Sequence, residues 1–185
     1  MRVTTHKINH LLSIASVQHE IEGVNWYHNA SDICLAMADE FNQDYYTVCA
    51  LMANFSVNKG WKENIKVTEH FLQTGEVKHF GFVEEKAKEI INSPKEKYRQ
   101  ILKGKTGLKV ENFYLNILRP NDDNPVTIDR HAWDIIGGEG KITIPRYHKA
   151  VQVYKRAAKK HGLLPNQVQA ITWIIHRELK GVSHF

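Results

Sequence analysis

LKGKTGLKVENFYLNILRPNDDNPVTIDRHAWDI, residues 102–135, holds the turn, helix and extended link on which the reading of the fold turns. Gly104 and Gly107 bracket Lys105 and Thr106, and Lys103 precedes them, so a basic turn sits between a short helix over 96–102 and a helix from Leu108. Paired glycines let the backbone pass close to a neighbour, and amide hydrogens at the start of the second helix can point at an anion. The segment reads as a helix-hairpin-helix, although ordinary helix connections also use glycine. Lys109 stands in the first turn of its second helix. Twenty residues on, Asp129 follows the β-branched run Val126–Ile128 and precedes Arg130 and His131. An amine and a carboxylate can thus reach one cleft from opposite ends of the unit.

Outward from this unit nearly every segment has helical spacing. Helices are predicted over 8–22, ending near Gly23, and over 32–41 after the capping residues Asn29–Asp32. Asp44 starts another, with Val48, Leu51, Met52 and Phe55 on one face, stopping near Gly60. Further helices cover 62–73 and 82–92, the latter closed by Ser93–Pro94. Past Asp129 a helix runs to Ile136 and breaks at Gly137, Gly138 and Gly140. Two more, 146–160 and a last one opened by Pro165, each begin beside a proline. Only Val126–Ile128 and Lys141–Ile144 look like strands. The class is all-α, with no internal repeat.

At 185 residues, with 42% hydrophobic and 24% charged side chains, the chain is expected to bury a sizeable core as one unit. No apolar run approaches the roughly 18 to 20 residues that span a bilayer. The opening MRVTTHKINHLLSIASVQHEIEG acquires His and Glu too early for a signal peptide, so an intracellular protein without membrane attachment is expected. Cys34 and Cys49 are too few for a cubane cluster. The eleven histidines include no HExxH, so no metal and no cofactor are expected. Charge is unevenly placed: eight bases against one acid from Arg146 onward, and six against one over 95–109, in a chain whose net charge is +5. Such clustering is the footprint of a polyanion, and nucleic acid is the expected partner.

At this point the sequence resembles a family. The L-x-G-x-x-G-x-K run, then Asn112, Phe113 and Leu115, then Ile128-Asp129-Arg130-His131-Ala132-Trp133, resembles the helix-hairpin-helix superfamily of DNA glycosylases. It is most similar to the 8-oxoguanine DNA glycosylase/AP-lyase branch. Residues 50–72, ALMANFSVNKGWKENIKVTEHFL, resemble the helix that precedes the DNA-inserting loop there. The likeness covers about 45–136. It implies a two-lobed all-α fold with a cleft between the lobes. About 30–128 would form the central lobe carrying the hairpin, and 1–29 with 129–185 the second. It further implies that Lys109 attacks the anomeric carbon and that Asp129 stabilises the cationic sugar. Gly104, Lys105, Thr106, Gly107 and His131 would contact DNA, and Phe113, Trp61 and Trp133 would line the base pocket. The implied activity is base excision from double-stranded DNA with a flipped base, with AP-lyase chemistry, by a protein that needs only to be a monomer.

Residue chemistry alone leaves other roles open. Lys109 is also an ordinary lysine of a helix first turn, and Asp129 a helix cap. Trp133, Trp61, Trp26 and Tyr27 suit a core, and Phe113 suits either the interior or a base pocket. A non-catalytic helix-hairpin-helix DNA-binding module remains an alternative. So does a glycosylase-derived enzyme that modifies a base, for which the Asn121–Asn124 insert and Gln167, Gln169 and Trp173 leave room.

Overall fold

Ser16 starts the longest helix of the chain. Its hydroxyl accepts from the His19 backbone N–H (3.2 Å), and the His19 ring accepts from the Ser16 N–H (3.1 Å), closing a reciprocal cap. From there α2 (Val17–Glu40) runs 24 residues without a break, in a computed structural model that describes residues 3–77, 81–104 and 107–181. The predicted boundary at Gly23 and the predicted cap at Asn29–Asp32 are therefore both interior to one helix. Gly23 does not end α2; it lets α2 touch a neighbour. A methyl group there would lie 2.3 Å from the Ile171 side chain and 2.7 Å from its backbone.

Around α2 the described residues form nine other helices: α1 (His6–Ser13), α3 (Tyr45–Phe55), α4 (Trp61–Thr74), α5 (Gly81–Ile91), α6 (Tyr98–Lys103), α7 (Leu108–Leu118), α8 (Arg130–Ile135), α9 (Ile144–His161) and α10 (Pro165–Leu179). A single 3₁₀ turn, Lys95–Lys97, leads into α6. The all-α class holds. No described helix is long and apolar enough to cross a membrane.

Two hydrophobic clusters form. One is centred on α3, whose residues Thr47 to Phe55 are all buried, as expected for a helix apolar on every side. It takes side chains from α2, α5, α6 and α7. Its polar groups are satisfied internally: Thr47 pairs with the Tyr98 hydroxyl (2.8 Å), and Asn54 donates to the Val83 carbonyl (2.7 Å). The other cluster joins α1, α8, α9 and α10 around Trp133 and Tyr154. Cys34 and Cys49 are both buried with free thiols.

Neither predicted strand forms. Val126–Ile128 has no regular structure and no partner strand among the described residues; Tyr147 of α9 takes that place. Its hydroxyl donates to the Val126 carbonyl (2.8 Å) and accepts from the Ile128 N–H (3.1 Å). Asn116 of α7 donates to the Thr127 hydroxyl (2.9 Å). Two backbone groups that would have sought a sheet, the Val126 carbonyl and the Ile128 N–H, are thus satisfied by one side chain. Lys141–Thr143 is a connector and Ile144 already opens α9, and Arg146 ties the connector down through the Glu139 and Lys141 carbonyls.

Gly23→Ala should lower unfolding free energy by about 1–3 kcal/mol through overpacking, although alanine is the better helix former. Denaturant unfolding measures this, and equal or greater stability would mean that the α2–α10 packing yields.

Candidate active site

α7 begins directly after the glycine turn. Gly104 closes α6 with a φ of 45°, a region that favours glycine. At Gly107 a side chain would meet the Leu102 carbonyl oxygen at 2.2 Å. The turn is therefore built on glycine at both ends, and Lys86 donates to the Leu102 carbonyl beside it (3.2 Å). Lys105 and Thr106 lie outside the described residues. Neither Gly104 nor Gly107 lines the pocket described next.

α7 carries Lys109 and Phe113, one turn apart, toward a pocket of about 130 Å³. The link between α7 and α8 supplies Thr127 and Asp129. α2 contributes Trp26 and Tyr27, and α4 contributes Trp61 and Asn64. Gln169, Trp173 and Arg177 enter from α10, spaced four apart on one face. Ser56 and Lys59, from the α3–α4 loop, complete the wall.

Aromatic rings make much of this wall. Trp26 lies 5.8 Å from Trp61 and 5.5 Å from Trp173, centroid to centroid, and Phe113 meets Trp61 edge-on at 6.4 Å. The Arg177 guanidinium stacks 4.7 Å over the Trp173 ring. Tyr27 donates to the Gln169 side-chain oxygen (2.7 Å).

Asp129 is anchored through both oxygens. As N-cap of α8, its Oδ1 accepts from the Ala132 N–H (2.7 Å), while Oδ2 accepts from Trp173 Nε1 (2.8 Å). Each carboxylate oxygen keeps further acceptor capacity. Lys109 contacts the Ser56 carbonyl at 3.5 Å. Burial holds its amine below the usual lysine range, and the Asp129 charge partly opposes that shift. The same two influences act on Arg177. A lysine of this kind loses its proton, and becomes nucleophilic, at lower pH than an exposed one.

Outside the pocket a hollow of about 550 Å³ shares Ser56, Lys59, Lys109, Asp129 and Arg177 with it and adds Asn58, Arg130 and His131. Five of its groups are basic or imidazole, against one carboxylate. His131 is half-buried, with its ring 6.3 Å from Trp173 and 5.9 Å from His176.

The structure thus brings Lys109, Asp129, Phe113 and Trp61 together and places His131 in the adjoining hollow. It does not bring Trp133. That side chain is fully buried in the second cluster, and Gly138 packs so tightly against its indole that an added methyl group would sit 2.2 Å from the ring. Sequence reasoning leaves Trp173 and Gln169 without a defined role, and it counts Arg177 only as charge. Their four-residue spacing, a polar and aromatic stripe on a helix otherwise lined with isoleucine and valine, is the available signal. Asn64 and Lys59 carry none.

The chain belongs to a family of unknown function, DUF7178, whose model matches residues 1–180. No curated protein and no solved structure matches it.

With ¹³C-labelled lysine followed by NMR across alkaline pH, the Lys109 resonance should titrate earlier than those of exposed lysines. In Asp129→Asn it should titrate earlier still, because the charge that raises its pKa is gone. A Lys109 transition at or above the others would contradict the description of the amine.

Proposed function

We propose that the protein is a DNA glycosylase with AP-lyase activity, acting on a damaged or modified base of double-stranded DNA. The observation that carries this reading is the meeting of Lys109 and Asp129 in one aromatic pocket, with the amine desolvated and the carboxylate anchored. The two hydrophobic clusters are consistent with a two-lobed helix-hairpin-helix arrangement. In it, about 30–128 form the hairpin-bearing lobe and 1–29 with 129–185 the other. A monomer suffices, and an intracellular location follows from the substrate.

In this reading the target nucleotide leaves the stack at a cost of about a few kcal/mol, offset by contact with the aromatic wall. The neutral Lys109 amine attacks C1′. The bond from C1′ to the base breaks, its electron pair leaves with the base, and the proton shed by the attacking amine neutralises that base. Positive charge develops on the sugar, and the Asp129 carboxylate stabilises it without having to reorganise. The C1′–O4′ bond then breaks, O4′ takes a proton from water, and a protonated imine is left on Lys109. Loss of a C2′ proton expels the 3′ phosphate, and water releases the lysine.

The outer hollow suits phosphates flanking the extruded nucleotide, with Lys59, Arg130, His131 and Arg177 at its rim. A further basic surface follows along α9, which carries Arg146, Lys149, Lys155, Arg156, Lys159 and Lys160 and no acid. Elsewhere helices pair their bases with acids at short spacing, as in Lys88–Glu84 and Arg130–Asp134. On α9, Arg156 and Lys160 instead sit one turn apart with like charge, a mildly destabilising arrangement that a phosphate backbone relieves.

Borohydride should trap the wild-type protein on a duplex drawn from a panel of damaged bases and abasic sites. Lys109→Ala should abolish the adduct, and trapping at the wild-type level would remove the lysine from the mechanism. Asp129→Asn should slow base excision by roughly 10²–10³-fold while duplex binding persists; unchanged excision would remove the carboxylate from it.

The charge on α9 gives an independent check. Neutralising Lys149, Arg156 and Lys160 to glutamine should flatten the plot of log affinity against log salt by about 0.9 for each phosphate that is no longer neutralised. An identical slope would show α9 to be a solvated face.

A further inference from the structure

Asn64 occupies the first turns of α4, is 1% exposed, and lines the pocket. The orientation of its amide is set by chemistry. One end lies 3.0 Å from the Met52 carbonyl, which can only accept, so that end is the Nδ2 and the oxygen faces elsewhere. That Oδ1 is buried and has no hydrogen-bond partner among the described residues. The nearby Thr68 hydroxyl does not serve it, because it donates to the backbone carbonyl of Asn64 itself (2.9 Å).

The other side-chain acceptors named in the wall each already receive a donor. Gln169 Oε1 receives the Tyr27 hydroxyl, Thr127 Oγ1 receives Asn116, and the two Asp129 oxygens receive Ala132 and Trp173. A buried acceptor left unpaired costs about 1–3 kcal/mol. Being an amide oxygen, it can neither donate nor gain a charge near neutral pH to escape that cost. It asks for an N–H. The rings of Trp26, Trp61 and Phe113, which share the wall with it, suit a flat heterocycle as the carrier of that N–H.

We propose that Asn64 reads the extruded base: its side-chain oxygen accepts a hydrogen bond from an exocyclic amino group or a ring N–H. The substrates are therefore bases that present such a donor inside the pocket, and bases in which alkylation has removed it are rejected. This rests on the glycosylase reading above. The selectivity is of the strong kind, because a base without the donor leaves a buried polar group unpaired, whereas a pocket lined only by apolar groups discriminates weakly.

The test uses the full chain and duplexes carrying matched modified bases: hypoxanthine with 1-methylhypoxanthine, and uracil with 3-methyluracil. A duplex with a pre-formed abasic site, which has no base to read, is the reference. Single-turnover excision and borohydride trapping are measured for wild type and Asn64→Leu.

Wild type should favour the N–H-bearing member of at least one pair. In Asn64→Leu, excision of that member should fall about 10- to 100-fold more than trapping on the abasic duplex falls. An equal fall in both, or wild-type excision of each N-methylated base as fast as its partner, overturns the assignment of Asn64 while leaving the glycosylase reading intact. Wild type that neither excises any base nor traps on the abasic duplex overturns the glycosylase reading and this inference with it. Should Asn64→Leu fail to fold, which circular dichroism reports, the matched pairs with wild type decide alone.

Discussion

The Asp129 carboxylate is held from two directions at once, by the first turn of α8 and by the indole of Trp173 on α10. Between α7 and α8 the chain has no regular structure, and these two bonds, the Tyr147 clasp on Val126 and Ile128 and the Asn116–Thr127 bond help to fix its end. Without them the carboxylate would be an exposed side chain on a loose connector. With them it lines the same pocket as Lys109. A helix cap is the bland role for such an aspartate, and here the same group that caps also faces the pocket, because each oxygen has capacity beyond one bond.

Burial of Lys109 depends on the same convergence. Its amine is desolvated by elements distant in sequence: the α3–α4 loop, the link at Thr127 and Asp129, and α10. The neighbouring carboxylate pulls the other way and limits how far the amine loses its charge. That balance leaves a group able to give up its proton without being a permanently neutral, inert amine. Trp173 joins the two influences, since it anchors the carboxylate with its N–H and stacks its ring beneath Arg177.

Much of this is legible in the sequence, and for identifiable reasons. The helical class follows from apolar spacing in segments such as 165–179, where Val168, Ile171, Ile174 and Ile175 share a face. The candidate lysine and aspartate follow from a local pattern of glycines, base and acid within one supersecondary unit. What is not legible depends on long-range packing. Gly23 and Asn29–Asp32 look like punctuation, yet they lie inside α2 because packing against α10 overrides local preference. The β-branched link looks like a strand, but a tyrosine hydroxyl replaces the partner strand. Trp26 and Trp173 stand 147 positions apart in the chain, and no periodicity announces that their rings will meet at 5.5 Å. Asn64 looks like any polar residue of a helix until its burial is known.

α2 has one more consequence. Its N-terminal half packs with Ile171 and the second cluster through Gly23 and Val24, and its C-terminal half, from Tyr27 to Ala38, belongs to the first. A single rod therefore runs through both halves of the interior. Melting either half would have to break the rod or drag the other half with it, and interrupting a long helix forfeits backbone bonds without release of either core. The molecule accordingly has the build of one cooperative folding unit, in which the walls of the pocket form and melt together.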